Sequence, residues 1–250
     1  MHTNQLASKY ARSIVFALMS GLSTIASAST DNFENGVLGN WQHTTNGGVN
    51  SIGVENHNGS LMAFVVQTGA GPLNGSTTTT SSLARDFPYS ATDLLSFDMH
   101  AVASTASGNP SGTKHSGSGV RVSFLNVFNI SQGSFSLYNY TNSALLGARE
   151  YLIDSVQHNY SATMATFAAQ AGLGSSASIS KVNLTFLGWA QYSGGGNIYP
   201  NVGATSRVWF DNVTAGPIPE PAHYVLLLLG LALMYFKVAD AKSETEHNDA

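Results

Sequence analysis

The chain has 250 residues, of which 43% are hydrophobic and only 10% charged, with a formal net charge of −4 and no cysteine. That length and apolar content suffice for one large or two small domains around a real core. The missing cysteines exclude a disulfide scaffold, a thiolate metal site and a cysteine nucleophile, and the scattered Lys and Arg leave no basic field for nucleic acid.

At the N-terminus, Lys9 and Arg12 precede an apolar stretch over 14–25 and then Ala26-Ser27-Ala28, small residues at both positions that a signal peptidase reads. A buried first helix would not need charge, apolar run and cleavage site in this order and at these lengths. The expectation is a signal peptide over 1–28 and a mature chain that begins near Ser29, outside the cytoplasm. Low charge with abundant Gly, Ser, Thr and Asn suits a secreted β-protein, since soluble domains usually carry roughly 25% charged residues.

The stretch 29–215 has the rhythm of one β-domain. Short apolar runs at 61–66, 94–99, 120–127, 134–138, 181–187 and 207–213 alternate with polar residues, most clearly in "VRVSFLNVF" and "KVNLTFLGW", the mark of strands with one buried face. Loops such as "ASTASGNPSGTKHSGSG" carry Gly, Asn and Ser. Stretches 143–156 and 161–173 have spacing compatible with short helices, the second ended by Gly172, or with irregular crossovers. No fixed-period repeat occurs, so the predicted fold is an all-β antiparallel sandwich of two sheets. Most aromatics, including Phe124, Phe128 and Phe186, are expected in its core, as are Trp41 and, on the closing strand, Trp209.

"DNFENGVLGNW", "VENHNGSLMAFVV" and "VWFDNV" resemble the first, second and last strands of jelly-roll carbohydrate-binding modules of the galactose-binding-like kind. The resemblance covers the ends of the domain and little of its middle. It implies that the first and last strands meet at one edge around a structural Ca²⁺. Matched residue by residue, the ligands would be Glu34, backbone carbonyls of the turn at Asn58 and Gly59, and Asp211. Hard Ca²⁺ takes six to eight oxygens, which carboxylates and turn carbonyls supply; on their own, Glu34 and Asp211 read equally as capping or solvated side chains. A flat ring stacks on the apolar face of a pyranose while nearby amides bind its hydroxyls. Trp189, Tyr192 and Tyr199, flanking the glycine-rich "YSGGGNIY", are the candidate carbohydrate-binding residues.

Catalysis finds little support. A glycosidase needs two carboxylates roughly 5–9.5 Å apart. Asp86, Asp93, Asp98, Glu150 and Asp154 could supply a pair, but no motif joins any two. Neither His-Glu-x-x-His nor Gly-x-Ser-x-Gly is present, and His43, His100, His115 and His158 lie far apart in sequence.

The C-terminal stretch 216–250 stands apart from this domain. Pro219-Glu220-Pro221 interrupts any helix or strand, and thirteen uncharged residues follow from Tyr224 to Phe236. These span roughly 20 Å as a helix, short of a bilayer core of about 30 Å, unless the span is extended to 222–239 with His223 and Lys237 reaching the headgroups. A buried helix would be striped, whereas this run is apolar on every face. The triplet with its leucine-rich span resembles the PEP-CTERM sorting signal of Gram-negative bacteria. That implies transient membrane anchoring, recognition by an exosortase and release to the cell surface or the extracellular polysaccharide matrix of a biofilm. The ending departs from the arginine-rich cluster usual in that family, because Lys237 and Lys242 are followed by Glu244, Glu246 and Asp249. The combined expectation is an exported, non-enzymatic surface or matrix protein that binds exopolysaccharide. The competing readings are a purely structural matrix component and a polysaccharide-modifying enzyme.

Overall fold

The structure, a computed structural model, describes residues 28–68, 77–104, 113–141, 146–175, 177–193 and 205–217. Residues 1–27 of the expected signal peptide, Tyr199, Pro219, Glu220, Pro221 and the apolar run over 222–239 lie outside the described residues. Among the described residues no helix is long and apolar enough to cross a membrane.

Twelve strands form two six-stranded sheets. The strands are β1 (Ser29–Asp31), β2 (Gln42–Asn46), β3 (Val49–His57), β4 (Ser60–Thr68), β5 (Thr77–Pro88), β6 (Leu94–Ser104), β7 (Thr113–Leu125), β8 (Ser131–Tyr140), β9 (Glu150–Leu152), β10 (His158–Thr163), β11 (Lys181–Ser193) and β12 (Thr205–Gly216). Sheet A runs β10-β6-β12-β4-β3, with β1 also paired to β12; sheet B runs β2-β5-β11-β7-β8-β9. Each of the six sequence-predicted runs falls on a strand. The pairing is antiparallel except between β8 and β9, a short parallel contact that the antiparallel expectation did not include.

Period-two alternation sends one side of each sheet into a shared core. Phe186 of β11 and Phe210 of β12 stack across the two sheets at 3.8 Å and 5°, and Phe97 meets Phe186 edge-on. Phe33 and Trp41 close one end of this cluster against Phe210. The Trp41 indole donates to Asp31 Oδ2 (3.0 Å), which also pairs with Arg85, so the first strand is tied to both sheets. Beyond Met99, β6 no longer pairs with β10. Its carbonyls are taken up from sheet B instead: Ser116 Oγ donates to Ser104 O (2.8 Å), Ser118 Oγ to Val102 O (2.9 Å) and Asn139 Nδ2 to Ala101 O (3.0 Å). Inward-facing polar side chains thereby satisfy backbone that burial would otherwise leave unpaired.

The one helix among the described residues, α1 (Met164–Gln170), is capped by Thr163 Oγ1 accepting from the Thr166 amide. It ends before Gly172 as the sequence predicts, and seats Phe167 on Phe135. Of the other stretch read as helix or irregular crossover, 143–156, the described part 146–156 is irregular chain with the short strand β9. Phe128 is not core: it is 77% exposed. The alternation stops at Leu125, and Asn126 Oδ1 accepts from the amides of Phe128 and Ile130, turning the chain out into a tip.

Candidate functional site

Trp189 stands on the outer face of sheet B. On β11 the even positions Val182, Leu184 and Phe186 fill the core, so the odd positions Asn183, Thr185, Leu187 and Trp189 face outward. Trp189 is paired with Thr80 on β5 and Gly117 on β7. A Cβ at Gly117 would sit 2.5 Å from the indole, so the bare glycine is what lets the ring lie close to the sheet. Tyr140 of β8, opposite Gly117, meets the indole edge-on at 4.4 Å. The result is a partly buried tryptophan on a glycine floor, braced by a tyrosine. Tyr192 is on β11 by backbone register, opposite Thr77 and Lys114, and its side chain lies outside the described atoms.

Further along the same face lies a polar cavity of about 270 Å³ lined by Asn40, Gln42, Ala84, Arg85, Asp86 and Asn183. Asn183 Nδ2 donates to Asp86 Oδ1 (2.7 Å), and Lys181 Nζ lies 3.7 Å from Asp86 Oδ2.

Glu34 and Asp211 are brought together at a third group that sequence reasoning did not single out. The Ser60 hydroxyl lies 3.2 Å from Glu34 Oε1 and 3.1 Å from Asp211 Oδ2. Ser60 follows the hairpin turn at Asn58 and Gly59, both at positive φ, which joins β3 to β4. A hydroxyl has one proton to donate, so it can serve only one of the two carboxylates at a time. Asp211 is 3% exposed, and its Oδ1 is buried without a hydrogen-bond partner. Burial raises its pKa, and the charges of Glu34 and Asp98 add to that, against a partial offset from the Asn212 backbone amide and then from Ser60. Asp98, opposite Asp211 on β6, is satisfied by Asn159 and Asn212, each at 2.8 Å.

The donor set is compatible with a hard divalent cation. Two carboxylates share one hydroxyl, and a buried carboxylate oxygen has no partner. Among the described residues no group of three or more His, Asp or Glu side chains could hold a metal, so an ion here would take its remaining oxygens from backbone carbonyls, Ser60 and water.

The outer face of sheet A carries a cluster that the sequence reading missed. Trp209 is half-buried there rather than in the core. His57 stacks on it at 4.1 Å and 13°, His100 lies 5.1 Å away, and the Arg207 guanidinium lies between Trp209 (4.6 Å) and Phe64 (5.0 Å). Glu55 Oε1 accepts from both the Trp209 indole and Arg207. His57 Nε2 and His100 Nδ1 are 2.7 Å apart, and His100 Nε2 is 3.0 Å from Ser155 O. The carbonyl can only accept, so His100 donates through Nε2 and receives the His57 proton at Nδ1. Burial, then the neighbouring His100, lowers the His57 pKa. The available signal was the i, i+2 spacing of Glu55 with His57 and of Arg207 with Trp209, which places each pair on one strand face; which strands meet is not written in that spacing.

No family model matches the chain, and no curated protein matches it. Solved structures similar to it include a carbohydrate-binding module of the β-sandwich superfamily (10% identity, covering 74% of this chain and 60% of that one, TM-score 0.36). A module bound to β-1,4-galactotriose is similar at 12% identity, 75% and 95% coverage and a TM-score of 0.35. A mannan-recognising module is similar at 11% identity, 77% and 99% coverage and a TM-score of 0.33. The chain thus spans 60% of the first of these structures. The fold described above rests on the strand pairing of this chain itself, which is that of a two-sheet β-sandwich.

Proposed function

We propose that the protein is an exported, non-catalytic surface or matrix protein whose β-sandwich binds polysaccharide through the outer face of sheet B. The observation that carries this reading is the seating of Trp189: a large, partly exposed ring on the outer face of sheet B, lying over Gly117 and braced by Tyr140. Aromatic faces of this kind stack on the apolar side of sugar rings, and the surrounding amides and hydroxyls suit sugar hydroxyls. Tyr192 and Tyr199 belong to the same reading as further contacts. In the full chain, Trp189→Ala is expected to abolish retention on polysaccharide and on a glycan array while the unfolding midpoint stays near wild type. Retention unchanged by this substitution overturns the reading.

The reading includes a structural Ca²⁺ at the start of β4 beside Asp211 of β12, held by Glu34 and Asp211 with carbonyls of the Asn58–Gly59 turn. The single shared Ser60 proton and the partnerless Asp211 oxygen support it. Bound there, the ion would supply charge compensation and no chemistry. A general-acid role for Asp211, the usual reading of a raised carboxyl pKa, is opposed by an exposure of 3%, too little for substrate to reach it.

Export and sorting rest on the sequence: the leader over 1–28, the Pro219-Glu220-Pro221 triplet and the span over 222–239. Signal peptidase and an exosortase would act in turn, with the membrane as a temporary partner. Mass spectrometry of the native surface protein should show an N-terminus near Ser29 and loss of the segment after the triplet. Persistence of the tail through Ala250 in surface material overturns the sorting part and leaves a stable anchor in its place.

A further inference from the structure

From Trp189 the outward positions of β11 run through Leu187 and Thr185 to Asn183, about 20 Å at roughly 3.3 Å per residue. Beside them on β5, Ser82 and Ala84 are small, so no bulky side chain from that strand crosses the path. At Asn183 the face opens into the 270 Å³ cavity. That volume lies just under the roughly 300–1,000 Å³ of sites for drug-sized ligands and suits a single sugar ring.

The chemistry of the cavity is specific. Its charges are already paired, Arg85 with Asp31 and Asp86 with Lys181, so it presents no spare charge to a carboxylate or sulfate group. The carboxamides of Asn40 and Gln42 make no hydrogen bond within the described residues. Each offers two donors and an acceptor, the complement of neighbouring sugar hydroxyls, which both donate and accept. Asn183 is held in place at both ends, donating to Asp86 and accepting from Thr185 Oγ1 (2.6 Å), and so needs little ordering when a ligand arrives.

We propose that this cavity is a second glycan subsite, and that a polysaccharide lies along β11 with one sugar on Trp189 and another, uncharged and several units on, hydrogen-bonded to Asn40, Gln42 and Asn183. The inference rests on the glycan-binding reading of Trp189 and adds to it a chain direction, a minimum length and a preference for an uncharged sugar at the cavity; between the two subsites the chain passes Arg121 of β7, exposed opposite Thr185. Contacts about 20 Å apart make the second a continuation of the first, so affinity grows with chain length until the span is filled and then levels off.

Isothermal titration of the full chain tests this, with neutral galactan and mannan and their oligosaccharides from disaccharide to hexasaccharide as probes. Affinity is expected to rise through this series. Gln42→Ala should weaken the hexasaccharide by roughly five- to tenfold, the scale of lost neutral hydrogen bonds, and leave the disaccharide unchanged. Asn183→Ala should act in the same way, but Gln42 decides the matter because its side chain makes no bond in the fold. Polygalacturonate should not compete. If the wild type binds and Trp189→Ala abolishes binding while Gln42→Ala matches wild type on the hexasaccharide, the second subsite is wrong and the glycan reading stands. Affinity that does not depend on length, or effective competition by polygalacturonate, likewise overturns this inference alone. Absence of binding to every probe overturns the glycan reading and this inference with it.

Discussion

The two outer faces of the sandwich each carry a tryptophan on a strand with the same period-two pattern, and they have opposite environments. On sheet A, Trp209 is stacked with His57, lies against Arg207 and is hydrogen-bonded to Glu55; Met62, on the neighbouring strand of that face, is left 1% exposed. On sheet B, Trp189 rests on Gly117 with Tyr140 at its edge. Both rings are partly exposed and differ in their partners: Trp209 is stacked and hydrogen-bonded, whereas Trp189 meets Tyr140 edge-on over a glycine, and Tyr138 on the same face is only 3% exposed. The packing of an aromatic is therefore decided by the strand beside it: His57 and Phe64 of β3 and β4 build up around Trp209, whereas Gly117 of β7 sets no side chain against Trp189.

The largest effect should separate these two residues directly. Trp209→Ala removes a stacking partner and leaves Glu55 and Arg207 partly unmatched, and truncation of a well-packed aromatic costs about 3 kcal/mol or more. Trp189→Ala should cost under about 1 kcal/mol, as surface substitutions do. Chemical denaturation of the two variants measures both, and equal losses would remove the contrast between the faces.

Calcium gives the next largest effect and tests the seam beside sheet A. An ion bound only to the folded chain adds about 2.7 kcal/mol at a hundredfold excess over its dissociation constant, so the melting temperature should rise with calcium and fall with chelator. Asp211→Asn sharpens this. Burial raises the Asp211 pKa, so the folded chain holds that proton more readily than the unfolded one, and ionisation costs stability increasingly as pH rises through the folded pKa. At neutral pH without metal, Asp211→Asn should melt higher than wild type and show no calcium response, whereas Asp93→Ala should keep the response. A metal-free wild type that melts identically with and without millimolar calcium removes the ion.

Acid should weaken the stacked face and spare the other. The His57 pKa is lowered, chiefly by burial and then by His100, with Arg207 adding and Glu55 opposing. Above about pH 6.5 His57 is neutral in both states and contributes nothing to pH dependence; below that value the unfolded chain takes its proton first, and stability is lost until pH passes the folded pKa. His57→Gln should flatten this acid limb of the stability profile, and an unchanged limb would move the cause elsewhere.

How much of this could be read from the sequence follows the same physics. Strands with an apolar inner face, such as β11 and the second half of β7, are visible in their alternation, whereas 113–119 of β7, read as loop, is strand with Ser116 and Ser118 facing inward. The first half of β5 is not visible, because its inward positions Thr79 and Ser81 are polar and buried, bonded to Ala190 O and His43; apolar inward residues begin only at Leu83 and Phe87. Phe128 shows the reverse failure, since apolar residues continue past the point where Asn126 turns the chain. Of the site, Trp189 was legible as an aromatic beside a glycine-rich loop, and the resemblance brought Glu34 and Asp211 forward. Ser60 between them, and Asn40 and Gln42 facing Asn183, were not, because cross-strand neighbours depend on pairing and register, which local pattern does not encode.

The smallest change in stability should accompany one of the largest in binding. Gly117→Ala places a methyl group where the indole now lies, 2.5 Å from its nearest atom. The obstructing group is the outer end of a partly exposed side chain, so the ring can swing off the sheet at a cost of under about 1 kcal/mol, the scale of surface changes. The stacking platform is lost in that movement although Trp189 itself is still present. Polysaccharide retention should fall towards the level of Trp189→Ala, near-ultraviolet circular dichroism should report the altered indole, and the unfolding midpoint should stay close to wild type. Retention equal to wild type in this variant would mean that the posture of Trp189 on the glycine floor, the feature that distinguishes its face from the stacked one, has no part in binding.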